Sequence, residues 1–394
     1  MKKHISLSSP HMSEEGYERE YVKKAFELNM IAALGENVTE FENGIVEITG
    51  AKKAVALSSG TSAMHMALKA VGVGKEDIVF CQSLTFSATA NPIIYEGAIP
   101  VFIDCDIDSW NMNPDALELA FEKYEKIGKK PKAVIVVHLY GMCAHIEDIV
   151  KICQRYQVPL IEDAAESLGT TYHGKHTGSF GEYGIISFNG NKIITSSGGG
   201  MLLINTEEAK EKAAKVRYWS TQAREPVRWY QHTEIGYNYR MSNIAAGIGR
   251  GQLKVLGRRI EKKRYIYAYY QEGLKNLPGI NFMPMMKGTR SNCWLTCILL
   301  DVECKVKPLD IIKALEKEGV ESRPIWKPLH LQPVFAGYDF ISQVEKLQVI
   351  NRETRADNSV SGVLFNNGIC LPSDTKLSDI DLDYICCVVK KLWK

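Results

Sequence analysis

The chain has 394 residues, with 48 Lys and Arg against 46 Asp and Glu, a net charge of +2. The two signs are interspersed, which argues against nucleic acid or a membrane surface as the main partner. At 45% apolar and 24% charged residues this is an ordinary globular composition, and the length predicts two domains. The expected division is a large domain over residues 1–250 and a smaller one over 251–394.

Met1-Lys2-Lys3-His4 has no apolar block behind it, so no signal peptide is expected. No run reaches the roughly 18 apolar residues of a membrane span. Ten cysteines are present. Most, including Cys81, Cys105, Cys153, Cys370, Cys386 and Cys387, fall in apolar runs and read as small buried hydrophobes. Cys293 and Cys297 lack a second ligand pair at zinc spacing, so no metal is expected. Free thiols without an export signal point to the cytoplasm.

In chain order, residues 1–13 read as an extended arm closed by Pro10. Ser13-Glu14-Glu15 opens a helix running to about Glu27. Asn29 to Gly35 reads as an apolar loop. From Ala51 strands and helices alternate. Ala54–Leu57, Ile78–Cys81, Pro100–Asp104, Ala133–Val137 and Pro159–Ile161 read as strands. Ala63–Ala70, Pro114–Lys126 and Ile146–Tyr156 read as helices. This alternation predicts an α/β fold with a mainly parallel sheet covered on both faces, binding ligand at the carboxyl ends of its strands. A single long helix is expected from about Ser242 to Leu274. Its basic patch, Lys254, Arg258-Arg259 and Lys262-Lys263-Arg264, reads as a solvated face. Trp294–Asp301, Pro308–Glu318 and Ile369–Leu371 then suggest a smaller α/β unit.

Four features converge on one chemistry. Lys192 lies in a polar, glycine-punctuated loop between the strand-like runs Gly184–Phe188 and Met201–Ile204. An amine so placed can act as a nucleophile, and the commonest aldehyde cofactor for it is pyridoxal phosphate (PLP). Ser59-Gly60-Thr61-Ser62 turns from a strand into a helix, where free N–H groups favour a phosphate, although capping alone also explains it. Glu162-Asp163-Ala164-Ala165-Glu166 sets carboxylates at a strand end, where one can hold a pyridine nitrogen protonated. Ser187 and the segment Gly236 to Ser242 complete the set.

In this order and spacing the residues resemble the DegT/DnrJ/EryC1/StrS sugar-nucleotide aminotransferases, fold-type-I PLP enzymes, over essentially the whole chain. The phrases carrying the resemblance are Leu7 to Met12, Ser187 to Thr195, Ser220 to Glu225, Gly236 to Asn243 and Arg323 to His330. They are most similar to the bacterial transaminases that make UDP-4-amino-4,6-dideoxy-N-acetylglucosamine, the bacillosamine precursor.

The resemblance implies a mainly parallel seven-stranded sheet, PLP as cofactor, and a homodimer with shared active sites. It implies a 4-keto sugar nucleotide and L-glutamate as substrates, for surface polysaccharide or glycoprotein synthesis. Lys192 would hold the cofactor aldehyde and shuttle the proton, and Asp163 would pair with the ring nitrogen. Phe86 would stack on the ring, with Glu166 near its 3′ oxygen. Gly60, Thr61 and Ser187 would hold the phosphate, and Asn238 would reach it across the dimer. His11, Asn29, Met30, Ile31, Ala32, Arg323 and His330 would line the sugar-nucleotide site; the alternative readings are a core aromatic for Phe86 and a surface salt-bridge residue for Arg323. Where many relatives have Gly-Glu-Gly-Gly, this chain has Ser197-Gly198-Gly199-Gly200. A dehydratase branch replaces the lysine by histidine, and Lys192 argues against that branch. The alternatives are another PLP reaction or a non-catalytic regulator on the same fold.

Overall fold

Seven strands between residues 53 and 204 build the central sheet of this computed structural model, which describes residues 4–343 and 359–393. They are β1 (Lys53–Leu57), β2 (Ile78–Gln82), β3 (Ile99–Ile103), β4 (Ala133–Val137), β5 (Leu160–Asp163), β6 (Tyr183–Ser187) and β7 (Gly200–Ile204). Their order is β1-β7-β6-β5-β4-β2-β3, and Phe340–Ile341 adds a two-residue eighth strand beside β3. Only β7 runs antiparallel to its neighbours; every other pairing is parallel.

Strands β2, β4, β5, β6 and β7 are buried at every position. Helices therefore cover both faces, as unbroken apolar runs require. One face packs Met64, Ala67 and Leu68 of helix α3 (Gly60–Ala70) against Val55, Ile161 and Leu202. The other packs Leu117, Phe121 and Ile149 against Phe80, Val101 and Val134.

A second sheet is antiparallel, in the order Ile280–Phe282, Thr296–Leu300, Gly368–Leu371, Arg323–Pro324. Its core holds Ile298, Ile311, Ile369, Leu382 and Ile385. The amino-terminal arm joins this unit: Ile5 is buried in the same core and bridges to Val320.

Three local expectations change. The first helix begins at Tyr17, because Gly16 sits at φ 78°; Ser13 still accepts the Tyr17 N–H at 3.0 Å. A helix over Glu36–Thr49 went unread, though its buried Asn37, Phe41, Ile45 and Thr49 recur every four residues. The expected helix from Ser242 to Leu274 is two, Asn243–Leu253 and Leu256–Leu274. At the join, Lys254 and Val255 donate to Gly251 and Gln252, three residues back, and the tighter turn breaks the helix. The first of the two is pressed onto its neighbours. A Cβ at Gly249 would lie 2.5 Å from the Phe41 ring, and one at Gly251 2.5 Å from the Glu18 backbone.

The basic patch is not uniformly solvated. Arg258 is exposed beside Glu15, but Lys263 is buried. Lys263 falls on the buried stripe of Leu256, Ile260, Tyr267, Tyr270 and Leu274, so its side chain must enter the interior. Cys386 is buried as expected, whereas Cys387 is exposed on the outer face of the last helix.

Candidate active site

The carboxyl ends of β1, β2, β5 and β6 open on a cavity of about 980 Å³. Gly60, Thr61, Phe86, Asp163, Glu166, Ser187, Lys192 and Arg323 all line it. Eight positions from five separate stretches of sequence thus meet at the edge where a parallel sheet binds ligand.

At one end β1 turns into α3. Ser59 caps the helix in a reciprocal pair: its hydroxyl accepts the Ser62 N–H, and the Ser62 hydroxyl accepts the Ser59 N–H, both at 3.0 Å. The cap leaves the Gly60 and Thr61 N–H groups, which have no partner within the helix, at the cavity. Gly60 has little room for a side chain: a Cβ there would sit 3.1 Å from Ser187 Cβ. The capping and phosphate readings of this turn are therefore compatible. Ser59 and Ser62 serve the helix, and Gly60 and Thr61 face the cavity.

Strand alternation sorts the acids at the end of β5. Glu162 points away and is fully buried, accepting from His138 Nε2 at 2.9 Å and from the N–H groups of Gly178, Phe180 and Gly181. Asp163 faces the cavity. Its carboxylate accepts the Thr89 hydroxyl at 2.7 Å and the Ala165 N–H at 3.2 Å. Thr89 in turn meets the Thr85 hydroxyl at 2.9 Å. Burial holds the Asp163 carboxyl above its ordinary range, opposed by these two bonds and by Lys192 and His138. Its hydrogen-bonding groups are neutral, so a cation brought to its free face would favour the ionised form.

Lys192 Nζ donates to Glu166 Oε1 at 3.1 Å and lies 4.2 Å from the Trp294 ring centre. Glu166 also accepts the Tyr140 N–H at 2.7 Å; burial raises its carboxyl, and Lys192 opposes that rise. The Trp294 backbone is pinned locally. Cys293 adopts φ 51°, and the Ser291 and Asn292 side chains accept the Cys293 and Trp294 N–H groups at 2.9 Å. Asn292 reaches back to the Glu166 and Leu168 carbonyls.

The sequence profile of the DegT/DnrJ/EryC1/StrS aminotransferase family matches residues 12–390. The chain belongs to that family. This aminotransferase is 52% identical over 379 residues to EpsN of Bacillus subtilis (strain 168), covering 96% of this chain and 93% of that one. EpsN is provisionally named a pyridoxal phosphate-dependent aminotransferase. The chain is 33% identical over 382 residues to a GDP-perosamine synthase of Caulobacter vibrioides, covering 97% and 96%. The crystal structure of a DegT DnrJ EryC1 StrS aminotransferase from Brucella abortus matches with TM-score 0.85 at 30% identity over 96% of each chain.

Not every expected residue of the aminotransferase meets this cavity. Phe86 does, and is 60% exposed, so it is not a core aromatic; Trp326 stands 5.7 Å away, ring to ring. Arg323 sits on the cavity wall, paired with Glu321 at 2.6 Å. Asn238 is exposed, accepts from Arg240 at 3.0 Å and lies outside the cavity. Asn29, Ile31 and Ala32 are exposed elsewhere, with Met30 half-buried; the carbonyls of Met30 and Ala32 accept from Asn243. His11 contacts Thr375 and Arg259 behind the lysine loop, and His330 meets Ser83 at 2.7 Å and stacks on Phe340. Sequence reasoning missed Thr89, Trp294, Trp326 and the arm residues Leu7 and Ser8, all on the cavity wall. Leu7, Ser8 and Trp326 fall within the phrases Leu7 to Met12 and Arg323 to His330, and Thr89 lies three residues after Phe86; Trp294 had no such signal.

Proposed function

We propose that this aminotransferase uses pyridoxal phosphate to move an amino group from L-glutamate to a UDP-linked 4-keto-6-deoxy N-acetyl sugar. The carrying observation is that the amine of Lys192 and the buried carboxylate of Asp163 line a single cavity that also meets a helix amino terminus. The donor set suits the cofactor: an amine for its aldehyde, an acid for its ring nitrogen, and N–H and O–H donors for its phosphate. Bound there, the group supplies an electrophilic carbon and a protonated ring that draws electrons from the bond being broken.

The chain's residues do the rest. Gly60 and Thr61 would donate backbone N–H groups, and Ser187 its hydroxyl, to the phosphate. Asp163 holds positive charge on the ring. Lys192 would hold the cofactor's aldehyde, and its free Nζ would carry the proton. Glu166 keeps that amine turned into the cavity, and Trp294 shields it from water on one side. Phe86 offers a ring face for stacking.

The cavity stands at the upper end of the usual range for small-molecule sites, with Trp294 and Trp326 for a sugar face and Arg323 for diphosphate charge. Asn238 is exposed, and Asn29 to Ala32 lie in a stretch of chain that exposes Phe26, Leu28, Ile31 and Leu34. Such a surface suits a second copy, whose cavity these residues would complete. The UDP assignment comes from the phrase-level resemblance, and GDP, the nucleotide in the Caulobacter relative's name, is its competitor. Single-turnover assays with L-glutamate and a panel of UDP-, dTDP- and GDP-linked 4-keto sugars test it. Amination of the UDP N-acetyl sugar at the highest kcat/KM is expected, and preference for a GDP sugar would overturn it.

A further inference from the structure

The buried amine of Lys263 takes no part in the chemistry described above. Its Nζ donates to Ser8 Oγ at 3.2 Å and to the Trp294 carbonyl at 2.9 Å. Ser8 Oγ donates onward to the Asn191 carbonyl at 3.0 Å, and Trp294 Nε1 donates to that same carbonyl at 2.8 Å. The four residues thus close a hydrogen-bonded ring drawn from the amino-terminal arm, the lysine loop, the Trp294 segment and the long helix. The ring ends on the peptide carbonyl directly before Lys192. Its other member, Trp294, carries the indole that lies over Lys192 Nζ.

The chemistry of the hub is consistent. A neutral amine has two N–H donors, and two acceptors face it. Burial lowers the Lys263 amine to about 7, with Asp374 and Cys293 pulling the other way. The arm is itself tied down: Leu7 N–H donates to Glu321 at 3.0 Å and Ser9 N–H to Asp374 at 2.8 Å, while Leu7 accepts from Ser373 N–H at 2.8 Å. An aliphatic side chain would fill the same buried stripe without desolvating an amine, so packing alone does not call for lysine here.

We infer that Lys263 is a positioning residue for Lys192: through Ser8 and Trp294 it fixes the peptide before Lys192 and the indole over its amine, making the amino-terminal arm part of the catalytic geometry. The inference rests on Lys192 being the reactive amine.

The test uses Lys263→Met, Ser8→Ala and the double variant. The first readout is acylation of Lys192 in cofactor-free protein, followed by peptide mass spectrometry against the exposed Lys129. The second is the split of kcat from KM in the loaded enzyme. Lys263→Met is expected to change relative Lys192 acylation about threefold or more and to lower kcat about 10–100-fold with KM nearly unchanged, the scale of a misplaced reacting group. Ser8→Ala should move both readouts the same way by less. The double variant should be no worse than Lys263→Met alone, because both cut one ring. Unchanged acylation and kcat in Lys263→Met, or additive losses in the double variant, would overturn the inference. If Lys263→Met does not fold, Ser8→Ala decides it on the same readouts. Borohydride labelling of the wild type separates the two failures. A pyridoxyl adduct elsewhere than Lys192 sinks the functional reading, whereas an adduct at Lys192 with indifferent ring variants sinks only this inference.

Discussion

Replacing Asp163 by Asn should move stability and activity in opposite directions. The substitution is nearly isosteric, and the surroundings can adapt. Both groups now facing the carboxylate are donors, the Thr89 hydroxyl and the Ala165 N–H. An amide oxygen toward Ala165 leaves the NH₂ facing Thr89, which can accept it by turning its own proton to Thr85. The cofactor-free variant should therefore fold. Burial raises the Asp163 carboxyl above its ordinary value. An acid raised on folding costs stability as pH climbs through its folded pKa, and nothing below its unfolded value. Cofactor-free Asp163→Asn should thus match the wild type near pH 4 and equal or exceed it at pH 8 in thermal melts. Activity should fall. An opposite charge beside a titrating group is worth about 1–3 pKa units, or about 1.4–4 kcal/mol, so the half-reaction with glutamate should slow about 10–1000-fold. Stopped-flow absorbance reads that rate. Undiminished turnover would refute the assignment of Asp163 to the ring nitrogen, and a cofactor-free variant less stable than the wild type at pH 8 would refute the burial argument.

Lys192→Ala should yield no pyridoxyl adduct after borohydride reduction and no turnover; peptide mapping and a coupled glutamate assay check both. Inactive Lys192→Ala and Asn238→Ala chains, mixed and reassembled, should regain part of the activity if each site draws on two copies, and no recovery would argue against sharing. Gly60→Ala should weaken pyridoxal phosphate binding about tenfold, measured by equilibrium dialysis, because its Cβ would crowd Ser187 at 3.1 Å beside the phosphate donors. Gly249→Ala should lower stability by about 1–3 kcal/mol with cofactor affinity little changed, since its Cβ would meet the Phe41 ring at 2.5 Å and neither residue lines the cavity.

Much of this molecule was legible in the sequence. Apolar runs of four to five residues alternating with helical stretches specified the parallel sheet, because strands buried on both faces have no other composition. The lysine loop, the acid at the end of β5 and the small-residue turn before α3 were recognisable because each is a local backbone event at a strand end. What only the tertiary structure decided is non-local. The difference between Glu162 and Asp163 follows from strand phase: one meets the His138 side and the other the cavity, and a shift of one residue would exchange them. The break at Lys254–Val255 is a turn of hydrogen bonds reaching three residues back, which helical periodicity does not mark. Trp294, Trp326 and Ser8 share the cavity wall with Lys192, and Lys263 bonds two of them, from about 70 to 180 residues away in sequence. Their types were plain in the sequence, but their meeting depended on how the second sheet and the arm fold back over the first, and contacts closed across such long loops leave no mark in local sequence.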